Sequence, residues 1–116
     1  MKIISAMLIV LMFTGVCYPI DKTMMWQAPT TNEDGSPLTD LAGYQVYSGM
    51  ASGQYGAPID VKNVTSYKFT FPDDGKRHYA VVTAYDTSGN ESKFSNEIFV
   101  DVPDKVKPSA PQCSWQ

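Results

Sequence analysis

Apolar and polar positions alternate with a period of two along most of the chain beyond its first seventeen residues. Residues 23–27 (TMMWQ) set Met24 and Trp26 on one side and Thr23, Met25 and Gln27 on the other, the pattern of a strand with one face in a core. In the same way residues 43–48 (GYQVYS) oppose Tyr44 and Val46 to Gln45 and Tyr47, and residues 66–71 (SYKFTF) oppose Tyr67, Phe69 and Phe71 to Lys68 and Thr70. Ile59 and Val61 around Asp60 make a shorter strand. Residues 77–102 hold a β-branched and aromatic run, a Ser88-Gly89-Asn90 turn whose glycine is free to take positive φ, and a second run from Ile98 to Val102. That combination predicts a β-hairpin. Residues 30–40 (TTNEDGSPLTD) and 72–75 (PDDG) collect the turn formers Asn, Asp, Gly and Pro and therefore read as connections. Outside the first seventeen residues no window has apolar residues at i, i+3, i+4 and i+7, so the expected class is all-β.

The order of several short motifs adds to this reading. Trp26, the loop from Pro29-Thr30-Thr31-Asn32 to Asp34-Gly35, Leu41-Ala42-Gly43-Tyr44, Thr83-Ala84-Tyr85-Asp86, Ser88-Gly89-Asn90-Glu91-Ser92 and Ser95-Asn96-Glu97 follow one another. Over residues 26–102 they closely resemble bacterial-type fibronectin type III domains. The resemblance implies an immunoglobulin-like two-sheet β-sandwich with Trp26 between the sheets. The expected core is Trp26, Tyr44, Val46, Tyr67, Phe69, His78, Val82 and Ile98.

The chain departs from that family in two places. Counting back in twos from Ala84 puts Val82, Ala80 and His78 on one face, so the lone histidine takes the place where these domains usually carry a buried corner tyrosine. A ring nitrogen bonded to backbone is the expected role. Tyr79 at the corner would instead shift the register by one and exchange the faces. Strand A of the family lies about eight residues ahead of the tryptophan, and here that stretch falls in the N-terminal apolar run. Strand A is therefore expected to be short or missing. The edge of the strand at 23–27 is then either a template for another strand, self-association included, or covered by the short segment bearing Pro19.

At 116 residues, 43% hydrophobic with a net charge of −3, the chain suits one folded domain and excludes a disordered polyelectrolyte. The absence of a Lys/Arg cluster argues against nucleic acid as a partner. Lys2 followed by the apolar run from Ile3 to Phe13 reads as an export signal, with small residues placing a cut after Cys17. The expected organisation is a signal peptide at 1–17, the fibronectin type III-like domain at 18–102 and a Pro-rich tail at 103–116 carrying Cys113 and Trp115. Loss of Lys2 leaves eight basic against twelve acidic residues, a net charge of −4. A lipidated Cys17 or an uncleaved anchor is the alternative, and membrane association is expected only through these. Cys17 and Cys113 form neither a disulfide framework nor a metal motif.

With this register Tyr47, Tyr79, Val81, Tyr85 and Phe99 point away from the core. Such an apolar face is either a partner surface or a set of cross-strand pairs that stabilise the sheet alone. Asp86, Ser88, Asn90 and Glu97 approach calcium-loop spacing, but Glu91 stands where the sharp turn needs glycine. No nucleophile and base grouping or phosphate loop is visible, and no cofactor is expected. The sequence thus leads to an exported, secreted or periplasmic, non-catalytic binding or adhesion module. Its expected partner is a protein or a surface polysaccharide. A structural component of a virion or appendage and an accessory carbohydrate-binding domain are the alternatives.

Overall fold

Alternation becomes six strands in a computed structural model that describes residues 19–116. They are β1 (Ile20–Met25), β2 (Leu41–Gly49), β3 (Ile59–Lys62), β4 (Ser66–Phe71), β5 (Arg77–Asp86) and β6 (Ile98–Asp101). The segment read as an export signal, Cys17 and most of the stretch assigned to strand A lie outside the described residues. Two antiparallel sheets form, one of β1 and β4 and one in the order β3-β2-β5-β6. The described residues contain no helix, and the architecture is a β-sandwich.

Even-numbered residues of β2 and β5 face the small sheet. Val46 stands opposite Val82 and Tyr44 opposite Ala84, and together with Met24 and Ala80 they form the buried cluster. Trp26, Leu41, Tyr67 and Phe69 pack against it. Along β4 the Tyr67 ring meets Phe69 edge-on and Phe69 stacks on Phe71. This row of large side chains from one strand lets a two-stranded sheet cover the larger one.

Two expectations need correction. Ile98, assigned to the core, is 41% exposed, because no strand pairs with the far side of β1 among the described residues to cover it. His78 bonds the Asp74 carboxylate at 2.8 Å rather than backbone, with its ring 4.6 Å from that of Phe71. The second arm of the hairpin, by contrast, pairs from Ile98 as its sequence pattern predicts. Before it, Ser92 and Ser95 bond Ala84 and Val82 through both backbone and hydroxyl, which replaces a regular ladder and lets the intervening side chains cross the outer face. The turn itself is held by Asp86, whose carboxylate accepts from the Ser88 and Asn90 N–H groups and from the Asn90 amide.

Gly43 follows a bulge in the β2–β5 ladder and lies under the Tyr85 ring. A Cβ there would sit 2.5 Å from the Tyr85 hydroxyl oxygen. Gly43→Ala is therefore expected to displace that ring from Asp60, which it bonds at 2.8 Å, and to destabilise by about 1–3 kcal/mol. Urea unfolding measures the loss. If the ring swings away at no cost, the midpoint will not move.

Candidate functional site

Among the described residues, β1 has β4 as its one ladder partner, and its other side is the edge where strand A was expected. The Trp26 N–H donates to the Thr65 carbonyl on the β4 side. Alternation along an antiparallel strand then turns the N–H and C=O groups of Asp21, Thr23 and Met25 outward, away from β4. Met25 is 76% exposed at this edge. Facing it across the gap is β6, whose only ladder partner among the described residues is β5.

Two clefts open between these edges, with volumes of about 300 and 270 Å³. They share Met24 and Ile98 in their walls and so make one lateral slot. One end is bounded by Lys22, Phe71 and His78, the other by Trp26, Pro29 and Lys93. Within the second end two polar groups are buried without a partner: the Trp26 indole Nε1 and the Tyr44 hydroxyl. Their rings lie 5.4 Å apart, and burial pushes the Tyr44 hydroxyl above its ordinary pKa. Both groups are hydrogen-bond donors in their ordinary states. No carboxylate lines either cleft, although the chain as a whole is acidic.

The outward face expected to bind a partner is built differently from its sequence pattern. Val81 is 1% exposed and belongs to the interior, not the surface. It stands opposite Tyr47, and the Tyr47 ring meets Phe94 edge-on at 5.0 Å, with Tyr55 on the other side of Phe94. Tyr47 and Thr83 donate to Glu91, Tyr85 donates to Asp60, and Ser52, Tyr55 and the Gly53 N–H donate to Glu97. These bonds tie down the hydroxyls of Tyr47 and Tyr85. Tyr79 is half-buried beside Phe99. Of the five residues expected on this face only Phe99 keeps a large exposed surface, at 57%, with Phe94 at 53% beside them, and Arg77 lies 4.0 Å over the Phe99 ring while bonding Asp101. Phe94 escaped sequence reading because it falls in an irregular stretch. Its spacing of three from Glu91 and Glu97 was the available signal.

Several carboxylates of this layer are held below their ordinary range. The Ser52 hydroxyl, with Tyr55 and the Gly53 N–H, lowers Glu97 from the usual 4.5. Arg77 lowers Asp101, and the Asn90 amide lowers Asp86, from the usual 3.8. Groups with depressed folded values stabilise fully above the unfolded pKa and lose that contribution as pH falls through the folded one. The urea midpoint is accordingly expected to stay level from pH 7 to about 5 and to decline below about 4.5. Glu97→Gln should lower the neutral midpoint and shallow that decline. An unchanged acid slope would show that Glu97 does not hold the 49–56 loop in solution.

The chain matches no protein-family model, no curated protein and no solved structure. Among the described residues no helix is long and apolar enough to cross a membrane, and no three His, Cys, Asp or Glu side chains gather as metal ligands.

Proposed function

We propose that this chain is a non-catalytic binding module of an exported protein, of fibronectin type III type, and that it works by accepting an extended strand at the β1 edge. The family reading is supported by the strand order: β1-β4 beside β3-β2-β5-β6 is the order of such a domain without its first strand. One observation carries the functional reading. The slot combines backbone groups on β1 that have no ladder partner among the described residues with an apolar wall at Met24 and Ile98, the two components that strand addition needs for affinity and for side-chain selection. The outer face is the weaker candidate, because its tyrosine hydroxyls already have partners and Val81 is covered.

The reading is tested by amide hydrogen exchange on the chain captured on envelope or virion surfaces. Asp21, Thr23 and Met25 are expected to exchange freely in the isolated chain and to become protected on capture. Capture with these amides still exchanging, and protection moved to Phe94 and Phe99, would place binding on the outer face and overturn the slot.

A further inference from the structure

Taking the strand-acceptor reading as its basis, we infer that the slot selects a partner protein's strand that is apolar at its centre and carries carboxylates at both ends of the same face. The slot's chemistry is one-sided. Its charged lining groups are Lys22 at one end and Lys93 at the other, with His78 beside Lys22, and neither lysine forms an ion pair among the described residues. His78 already has a carboxylate partner in Asp74. The unpaired charges that line the slot are therefore both positive, and they call for an anion. Met24 and Ile98 divide the two ends with an apolar wall.

The dimensions fit a short strand. From Lys22 to Gln27 the β1 side of the slot runs five residue steps, about 17 Å of extended chain, so a strand of about seven residues spans it with alternate side chains pointing inward. Its inward residues over Met24 and Ile98 must be apolar. Those before and after them come within reach of Lys22 and Lys93, where a carboxylate gains an ion pair and a lysine meets like charge.

A second copy of the chain fits poorly. Its β1 presents Ile20, Lys22 and Met24 on the inward face, with no carboxylate and with a lysine to set against a lysine. An inward charge on an edge strand is a device that discourages such edge-to-edge pairing. Lys22 thus acts in two ways, rejecting self-association and recruiting an acidic strand.

Two blocked peptides test the inference on the full chain, Glu-Thr-Val-Thr-Val-Thr-Glu and its counterpart with lysine at both ends. Binding is read from NMR shifts and exchange protection at the Thr23 amide. The acidic peptide is expected to bind about tenfold tighter at low salt, with the difference shrinking as salt rises. Lys22 and Lys93 are exposed, so the double variant Lys22→Glu with Lys93→Glu should keep its fold by circular dichroism and reverse the preference. Equal binding of the two peptides, an unreversed preference in the variant, or no shift at Thr23 up to millimolar peptide would overturn the inference. So would protection of the β1 edge by polygalacturonate, an anionic polysaccharide, in place of the acidic peptide. Edge protection on native surfaces without peptide preference would remove this inference and leave the strand-acceptor reading. Capture that never protects the edge would remove both.

Discussion

Replacing Tyr44 by alanine is expected to cost about 3–5 kcal/mol, the range for deleting a large buried ring, whereas replacing it by phenylalanine should leave stability level or raise it by up to about 1 kcal/mol. The ring is 2% exposed, packs against Trp26 and stands opposite Ala84 at the centre of the buried cluster. Its hydroxyl has no hydrogen-bond partner, so its removal relieves a buried donor while keeping the packing. For a domain whose total stability lies in the range of about 5–15 kcal/mol, the alanine change takes a large share and brings the protein close to unfolding. Urea titration of the two variants checks both signs. A Tyr44→Phe variant less stable by more than about 1 kcal/mol would show that the hydroxyl is bonded in solution.

The second large effect is expected at Val81. Val81→Asp should abolish folding at room temperature, since an unpaired carboxylate in that 1% exposed position carries a desolvation penalty that no neighbouring cation offsets. Val81→Ala should cost about 1.5–3 kcal/mol. Phe99→Ala, on the same face, should cost no more than about 1 kcal/mol, the value of its contact with Arg77. Circular dichroism and denaturant midpoints rank the three. If Phe99→Ala proved as damaging as Val81→Ala, the outer layer would be packed on Phe99 and not on the Tyr47, Phe94 and Tyr55 rings.

These two residues also mark how far alternation could be read. A period of two places Tyr44 inward and Val81 outward, and both directions hold in the ladder. Direction is not burial, however. Val81 points away from the sandwich core and is still covered, because residues 91–97 return over the outer face with Glu91, Phe94 and Glu97 meeting side chains from β2, β5 and the 49–56 loop. Several of the hydroxyl and carboxylate bonds that hold this layer join residues more than forty positions apart, such as Tyr47 with Glu91 and Ser52 with Glu97. Ile98 shows the reverse: it points inward yet is 41% exposed, because burial there requires a strand beyond β1.

Local chemistry was enough for the all-β class, the positions of the strands, the turn at Gly89 and the inward parity of Tyr44, Val46 and Val82, since each follows from side chains two residues apart or from one backbone conformation. The slot was not legible. Its walls come from β1, β2, β4, β5, β6 and the stretch at 92–96, its two lysines are seventy-one positions apart in the chain, and the buried, unpartnered state of Trp26 and Tyr44 depends on what the opposing sheet brings over them. Periodicity along a chain assigns each residue a face, while only the packing of one sheet on another decides which faces are covered and where a gap is left between their edges.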